Sequence, residues 1–262
     1  MKIAVIGLGW LGESLAHYLT KKGHTVWGTY RQSGSQLQNS FPLVLPLTEE
    51  ITLPDDFLHA DVLILSLPPS GSSVPLKDAY QSFFDQFPYH SWGRILLFNS
   101  ISVYGENAGL VNEKSIEQPD TPRAQAACDL ESSLIAKCQT LTSLRLGGLI
   151  GENRHPIRSL AGKEVSLSGP INLISQIDLI RALEMILQKE ELPRKINLVT
   201  PHHPSKEEYY TKAAGRFGLP APKWKPAAEE NYRIVESLFL KEINFKFLDP
   251  ALLVSPSERL SL

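Results

Sequence analysis

The chain has 262 residues, a formal net charge of −2 at pH 7, and 42% hydrophobic and 21% charged residues. This composition is typical of a globular protein and excludes intrinsic disorder, collagen-like repeats and a coiled coil as descriptions of the whole chain. Because neither sign of charge dominates and no apolar run approaches the roughly 20 residues of a membrane helix, we expect neither nucleic acid nor a membrane as a partner.

The first half of the chain alternates short apolar runs with amphipathic segments. Strands are predicted at Ile3–Ile6, Thr25–Thr29, Asp61–Ser66, Arg94–Phe98 and Ser143–Leu146, with one helix ending near Lys21-Lys22-Gly23 and another from about Arg123 to Lys137. These strands are continuously apolar, so helices are expected to cover both of their faces, as in a parallel sheet. Residues 1–150 are therefore predicted to form a Rossmann-like, doubly wound α/β domain.

The pattern becomes irregular after residue 150. Ile171–Ile174 and Ile196–Val199 predict strands and Gln176–Gln188 predicts a helix, so residues 171–200 are expected to return to the first domain. A further helix is predicted near Glu229–Leu240. Residues 151–170 and 201–262 are then expected to form a small α+β lobe on the substrate side.

Cysteine usage and the N-terminus bear on the compartment. Cys128 and Cys138 are separated by about 15 Å along the predicted helix, too far for a disulfide. The apolar start is interrupted by Gly7 and Gly9, and no small-residue cleavage site follows it. The sequence also lacks the Cys and His spacing of a metal site. We expect a cytoplasmic protein without a bound metal.

A glycine motif lies between the first predicted strand and helix: Gly7-Leu8-Gly9-Trp10-Leu11-Gly12. In such a motif the first glycine permits a tight turn, the second lets the backbone approach a pyrophosphate, and the third lets the helix pack on the strand. The helix N-terminus then offers amide groups to the phosphates. The alternative is a tight turn without a ligand. The predicted cofactor-binding residues here are Gly7, Gly9, Trp10, Leu11 and Gly12.

The end of the second strand bears on the choice of cofactor. An NAD site places a carboxylate about 20 residues after the motif, whereas this sequence has Tyr30 and Arg31 there. Arg31 can bind a 2′-phosphate and stack on adenine, which favours NADP over NAD; the alternative is a solvated surface arginine. Ser66, Leu67 and Pro68 end another strand and are expected to contact the cofactor.

The segment Ser100-Ile101-Ser102-Val103-Tyr104-Gly105 resembles the Ser-x-x-x-Tyr-Gly segment of the extended short-chain dehydrogenase/reductases, the NAD(P)-dependent epimerase/dehydratase family. Three further segments agree in the family's order: Arg145–Gly151, Asn172–Asp178 and Ile196–Val199. The short chain and its glycine loop look most like a small atypical branch. The resemblance implies cofactor contacts at Ser100, Gly147, Gly148 and Leu149.

The resemblance also exposes a departure. The family uses a serine, a tyrosine acid/base and a lysine four residues after it. Ser100 occupies the serine position, but the other two positions fall on Arg123 and Ala127. Arginine stays protonated and cannot cycle a proton, so a non-standard proton donor is expected. Tyr104 lies close to Ser100 in the sequence and is an alternative acid, although the corresponding tyrosine is structural in the family.

His155 has a suitable ordinary pKa for proton transfer, and it follows the glycine-rich segment expected to face the nicotinamide. Its alternative is a structural or exposed loop histidine. Arg123 is either an anchor for an anionic substrate group or a surface residue, and Arg154 and Arg158 are further candidate anchors. The predicted catalytic residues are therefore Ser100, Arg123 and His155.

The sequence thus predicts an NADP(H)-binding oxidoreductase or epimerase-like enzyme for a small polar carbonyl or sugar-type substrate. The alternative is a catalytically silent redox sensor or interaction protein. The loop also resembles that of the β-hydroxyacid dehydrogenases, but those need an all-helical C-terminal domain, against which the predicted strands argue. A homodimer is left open.

Overall fold

The structure is a computed structural model that describes residues 1–31, 35–67, 74–151, 154–227 and 232–248. It divides into two compact units. Unit 1 consists of Met1–Asn99, Thr121–Leu144 and Glu190–Lys195. Unit 2 consists of Ser100–Asp120, Arg145–Lys189 and Ile196–Leu262. The chain therefore passes between the units several times.

The strands, in chain order, are β1 (Lys2–Ile6), β2 (Thr25–Tyr30), β3 (Ser40–Pro42), β4 (Val62–Leu65), β5 (Arg94–Ser100), β6 (Gly109–Val111), β7 (Leu141–Leu146), β8 (Gly148–Ile150), β9 (Glu164–Val165), β10 (Leu173–Ser175), β11 (Lys195–Leu198), β12 (Lys223–Trp224) and β13 (Arg233–Val235). The helices are α1 (Trp10–Lys21), α2 (Asp55–Leu58), α3 (Leu76–Gln86), α4 (Pro122–Lys137), α5 (Ile157–Leu160), α6 (Gln176–Leu187), α7 (Lys206–Arg216) and α8 (Leu238–Glu242).

Seven of these strands form one parallel sheet in the order β11-β7-β5-β4-β1-β2-β3. In register, Ile3 of β1 lies between Val26 of β2 and Val62 of β4. All four residues of β4 are buried, as are Ile3–Ile6 of β1, because helices cover both faces. The predicted Rossmann-like fold class is confirmed. The strand order reverses between β1 and β4, and such a switch point opens a crevice at the carboxyl ends of the strands.

Aromatic packing fills much of the core of unit 1. Phe83 of α3 stacks on Trp92 with 5.7 Å between ring centroids, and Phe57 is fully buried in the same cluster. The Trp92 indole N–H donates to the Phe57 carbonyl over 2.9 Å. This core supports β1 and β4 from one face, which fixes the loops at their carboxyl ends.

Unit 2 contains three short parallel strand pairs, β8 with β10, β9 with β12 and β6 with β13. A second apolar core lies against α7 and includes Ile157, Ile171, Tyr209 and Tyr210. Because strands occur throughout this part of the chain, it is not the all-helical domain that the β-hydroxyacid dehydrogenase interpretation requires.

Most predicted elements are present within a residue or two. The helix expected near Glu229–Leu240 is wrong: β13 occupies Arg233–Val235, and α8 begins only at Leu238, where Ser237 caps it. Backbone N–H and C=O groups of β13 bond to β6, whereas in a helix they would bond within the same segment. The elements α3, α7 and β3 were not predicted from the sequence. Of the predicted later strands, β11 joins the large sheet and β10 pairs with β8.

Both cysteines are free thiols. No helix in the described residues combines the length and the apolar character needed to cross a membrane. Within the same ranges, no three side chains of the types His, Cys, Asp or Glu are grouped closely enough to hold a metal ion.

Candidate functional site

The glycine loop at the carboxyl end of β1 is tied to β2. Gly7 adopts a positive φ of 104°, a backbone conformation that residues other than glycine rarely adopt. Its amide donates to the Thr29 hydroxyl over 3.2 Å, and the Leu8 amide donates to the Thr29 carbonyl over 2.7 Å. These bonds turn the chain sharply from β1 into α1, as the motif predicts.

Gly9 and Gly12 have opposite surroundings. A Cβ atom at Gly12 would lie 2.1 Å from the Gly7 carbonyl oxygen, so α1 can pack this closely on the loop only without a side chain. A Cβ atom at Gly9 would have no described atom within 4 Å, so this position borders open space. The loop therefore has no room for a side chain at Gly12 and is open at Gly9. A backbone of this shape allows a pyrophosphate to approach it closely.

The helix α1 begins directly after Gly9 and leaves backbone amides at its N-terminus. The first helical hydrogen bond runs from Glu13 N to Gly9 O over 2.8 Å, so the Leu11 and Gly12 amides precede the helical ladder. No side chain in the described part of the chain caps this helix at Gly9. Amides and helix dipole together favour an anion here, so the residues present fit a dinucleotide phosphate.

A cationic residue, Arg31, directly follows β2. Tyr30 is half-buried and Arg31 is exposed. The Tyr30 carbonyl accepts from the Leu43 amide over 2.9 Å, which anchors the strand end to the chain after β3. Arg31 is therefore held at the strand terminus, where the sequence predicts contact with a 2′-phosphate.

The end of β4 approaches the same loop. A Cβ atom at Gly7 would lie 3.1 Å from both the Ser66 backbone and the Leu67 side chain. The Leu67 amide donates to the Tyr80 hydroxyl over 3.1 Å, and burial raises the pKa of Tyr80. Unit 1 thus brings Ser66 and Leu67 to the glycine loop. Pro68, the third residue predicted there, lies outside the described residues.

Ser100 begins the segment that carries the family resemblance in unit 2. Its hydroxyl oxygen accepts the Ser102 amide over 3.1 Å and so caps the 3-10 turn Ile101–Tyr104. A hydroxyl that accepts in this way can still donate its proton to a carbonyl oxygen. The cap gives Ser100 a structural role, and its catalytic and cofactor-binding roles stay predictions.

Tyr104 is fully buried and its hydroxyl has two partners. It donates to the Asn197 side-chain oxygen over 3.0 Å and accepts from Arg145 over 2.8 Å. Arg145, also fully buried, forms an ion pair with Glu117. Burial raises the pKa of Tyr104 more than the neighbouring Arg145 lowers it. Tyr104 is therefore a structural residue, as the resemblance implies.

The glycines after β7 are explained by strand packing. A Cβ atom at Gly147 would lie 3.0 Å from the Asn172 carbonyl oxygen, and one at Gly148 would lie 2.5 Å from the Leu173 side chain. Leu149 is half-buried in β8, which pairs with β10. Cofactor contacts at Gly147, Gly148 and Leu149 stay predictions.

The positions of the family's tyrosine and lysine lie on the first turns of α4. Arg123 is the second residue of the helix and is exposed. Ala127 is half-buried, and its carbonyl accepts from the Asn99 side chain over 3.2 Å. Neither position supplies a group that cycles a proton. Arg123 has the exposure that an anion anchor requires, and that role stays a prediction.

His155 has two partners inside the α7 core. Its Nδ1 accepts from the Ile157 amide over 3.2 Å, so its Nε2 carries the proton and donates to the Tyr209 hydroxyl over 2.8 Å. Burial, with a smaller contribution from Arg158, lowers the pKa of His155 to about 4. The ordinary imidazole pKa on which the predicted catalytic role depended is therefore absent.

Two polar contacts near these segments were not predicted from the sequence. The buried Arg145 lies in the segment Arg145–Gly151, whose apolar neighbours gave no sign of an internal ion pair. Glu13 binds the chain after β2, and the only sequence signal was its i,i+4 spacing to His17.

Comparisons with known proteins agree with this architecture. Residues 2–82 match the family model described as NADP oxidoreductase, coenzyme F420-dependent. The protein YeeZ from Escherichia coli (strain K12) is 31% identical over 273 residues, which cover 98% of this chain and 99% of YeeZ.

Two solved structures share the fold along nearly the whole chain. One is a protein from Methylobacillus flagellatus assigned to the NAD-dependent epimerase/dehydratases, with a TM-score of 0.80 and 18% identity over 95% of this chain and 93% of that one. The other is UDP-glucose 4-epimerase from Thermotoga maritima, with a TM-score of 0.74 and 16% identity over 98% and 97%. The resemblance to extended short-chain dehydrogenase/reductases is confirmed for the fold.

Proposed function

This chain belongs to the family of the Escherichia coli protein YeeZ. We propose that it binds NADP(H) and acts as an oxidoreductase or epimerase on a small polar carbonyl or sugar-type substrate. One observation carries the proposal: the Gly7–Gly12 loop is closely packed at Gly12 and open at Gly9, where α1 begins and its first amides precede the helical hydrogen bonds. A tight turn without a ligand requires the close packing at Gly12, but it does not require open space at Gly9.

The preference for NADP rests on the end of β2. The chain there continues Tyr30-Arg31 and has no carboxylate to accept from a ribose 2′-hydroxyl. The Arg31 guanidinium pairs with a phosphate through two parallel N–H donors and stacks on a flat base. Its exposure leaves it accessible to a ligand.

Bound NADP(H) would supply hydride transfer through its nicotinamide ring. The chain's own residues would orient the substrate. The Ser100 hydroxyl would donate to the substrate carbonyl oxygen, while Arg123 or Arg154 would bind an anionic group. The UDP-glucose present in the Thermotoga maritima epimerase structure supports a sugar-type substrate class. The proton donor is a group other than a tyrosine–lysine pair, since Arg123 and Ala127 occupy those positions.

A redox sensor that retains the cofactor without chemistry is the second candidate. The observation that favours it is the complete use of Tyr104 and His155 in buried hydrogen bonds. Such a protein would associate with a partner in an NADP(H)-dependent manner. A pull-down performed with NADPH, with NADP and without cofactor distinguishes the candidates, because an enzyme needs no cofactor-dependent partner.

The first test is a fluorescence titration with NADPH and, separately, NADH. Trp10 lies in the glycine loop, so we expect cofactor to quench its emission and energy transfer to reach the dihydronicotinamide. Trp10→Phe should abolish the signal change while a competition assay still detects binding. Arg31→Ala should weaken NADPH about tenfold or more and leave NADH unchanged, since one charge-assisted pair is worth about 1.5–3 kcal/mol. An unchanged affinity ratio would refute the NADP preference, and no binding of either would refute the proposal.

The second test concerns chemistry. Once a carbonyl screen with NADPH identifies a substrate, Ser100→Ala should lower kcat by about 100-fold or more, as loss of an oriented donor does. Turnover unaffected by this change would show that Ser100 only caps the 3-10 turn.

A further inference from the structure

Unit 2 contains a cavity between the chain that follows β11 and the end of α8. Its volume is about 310 Å³, and its walls come from within residues 199–203 and 235–247, all of which the structure describes. Small-molecule sites usually have volumes of about 300–1,000 Å³. A cavity of about 150 Å³ can hold benzene. The space is therefore large enough for a ligand with two fused rings.

One side of this cavity is apolar. Val199, Val235 and Leu240 are buried in its wall. The rings of Phe245 and Phe247 meet edge to face in the same wall, with 4.8 Å between their centroids. Apolar and aromatic surface of this kind binds a flat ring by removing it from water. The wall therefore favours a ligand with a flat apolar body.

The aromatic wall is held in place by hydrogen bonds on both sides. The Phe245 amide donates to the Leu240 carbonyl over 2.9 Å, and the Lys246 carbonyl accepts from the Arg181 side chain over 2.8 Å. The Leu248 amide donates to a carboxylate oxygen of α6 over 2.8 Å. Because these bonds are made within the protein itself, the cavity is preformed and little of its wall has to be ordered when a ligand binds.

The polar side of the cavity carries one uncompensated positive charge. Nζ of Lys241 lies 2.5 Å from Oε1 of Glu236, so these two charges offset each other. Nδ1 of His203 donates to the Ile171 carbonyl over 2.9 Å, and burial lowers the pKa of His203, so its ring is neutral at pH 7. Lys246 is exposed at the cavity and has no carboxylate partner among the described residues. The cavity therefore attracts an anionic group.

We propose that this cavity is a binding site for a small organic anion with a flat apolar body, such as an aromatic carboxylate. The rings pack against the buried aliphatic side chains and the two phenylalanines, and the anionic group pairs with the Lys246 ammonium. The residues that line the cavity all belong to unit 2, whereas the Gly7–Gly12 loop belongs to unit 1. The inference therefore goes beyond the proposed function and does not depend on NADP(H) binding.

The test is isothermal titration calorimetry of the full chain with 2-naphthoate, and with 2-naphthamide as a neutral analogue of the same shape. We expect one molecule of 2-naphthoate to bind with a Kd of about 1 mM or below. The amide should bind about five- to tenfold more weakly, because it cannot form an ion pair with Lys246. Lys246→Met should remove this difference by weakening 2-naphthoate alone. Lys225→Met removes a lysine outside the cavity and should leave both affinities unchanged.

A second variant tests the apolar side. Val199→Phe places a ring inside the cavity and should abolish the binding of both ligands while the Tm stays close to that of the wild type. If this variant does not fold, the comparison of the two ligands on the wild type and on Lys246→Met still decides the question.

The outcomes separate this inference from the proposed function. No binding of 2-naphthoate by the wild type would show that the cavity of the full chain does not admit a ligand, and would overturn the inference. Displacement of 2-naphthoate by NADP would locate the ligand at the glycine loop and would also overturn it, as would binding that neither Val199→Phe nor Lys246→Met changes. A protein that binds 2-naphthoate in this cavity but neither NADPH nor NADH would support the inference and refute the proposed function.

Discussion

The two units stabilise their functional loops by opposite means. In unit 1 the loop after β1 depends on a missing side chain, since a Cβ atom at Gly12 would meet the Gly7 carbonyl at 2.1 Å. In unit 2 the segment after β5 depends on polar groups that are present: Arg145 and Tyr104, both fully buried, are bonded to each other, and Arg145 pairs with the partly buried Glu117. The loop in unit 1 is therefore sensitive to an added side chain at Gly12, whereas the segment in unit 2 is sensitive to the loss of a polar side chain such as Arg145.

This difference teaches where each unit is vulnerable. Overpacking strains a close contact locally, and the cost depends on how far the neighbours can shift. Removing one member of a buried polar network leaves the remaining groups without water or partner, which costs more. We therefore expect additions to affect unit 1 most and deletions to affect unit 2 most.

The largest expected effect is in unit 2. Arg145→Met should destabilise the protein by about 2–4 kcal/mol, because it removes the buried cation that bonds the Tyr104 hydroxyl and pairs with the Glu117 carboxylate. Urea unfolding followed by circular dichroism measures this. Lys225→Met in the same unit removes a cation whose partner Glu164 is exposed, and the cost should stay below about 1 kcal/mol. Equal losses would contradict the contrast between buried and exposed pairs.

In unit 1, Gly12→Ala should cost about 1–3 kcal/mol through the forced contact with Gly7 and should abolish cofactor binding. Gly9→Ala should fold with a loss under about 1 kcal/mol, since only a helix cap changes, and yet still lose NADPH binding. Thermal unfolding and the NADPH titration measured on both variants separate packing from ligand access. A Gly9→Ala variant that binds normally would show that the open side of the loop does not face a ligand.

The next effect concerns pH. His155 has a folded pKa of about 4 against an ordinary 6.5, so the unfolded chain takes up a proton more readily. The stabilisation from its neutral form is complete above pH 6.5 and is lost as pH falls toward 4. From pH 7 to pH 5 we expect a loss of about 1–2 kcal/mol. In His155→Phe this part of the pH dependence should disappear; its persistence would assign it to other groups.

The smallest effects should be equal in the two units. Thr121 and Ser205 are exposed caps of α4 and α7 and accept the Ala124 and Glu208 amides, each over 3.1 Å. Replacing either with alanine should cost about 1 kcal/mol. Similar shifts in the urea midpoint would locate the difference between the units in their interiors. If Ser205→Ala lost several-fold more stability than Thr121→Ala, the units would differ at their surfaces as well as in their interiors.

The sequence predicted the large sheet well because its strands are continuously apolar, a pattern that depends only on burial. The glycine loop was predictable for a related reason: Gly7 and Gly12 each meet a local backbone requirement, a positive φ and a close contact. Predictions failed where contacts with residues distant in the sequence determine the secondary structure. Ile234 and Val235 were assigned to a helix because no local signal shows that β13 pairs with a segment more than a hundred residues earlier.

The candidate site shows the same limit. His155 looked suitable for proton transfer as a free imidazole, but its pKa depends on Tyr209 and the α7 core, which spacing along the chain does not reveal. The hydrogen bonds of Glu13 were equally hidden, since its partners Ser35 and Gln36 lie more than twenty residues away. Charge and hydrogen-bond partners at a site are set by tertiary contacts, whereas backbone shape is often set locally.

The open edge of the large sheet at β3 has a consequence for solubility. An edge strand offers unpaired amides on which another chain can add a strand, so long edges promote aggregation. Alternate amides of a strand face opposite sides, and because the Leu43 amide bonds to β2, the amide of residue 42 would face outward. That residue is proline, which has no N–H to offer. With only three residues in the strand, β3 is a poor template for intermolecular pairing.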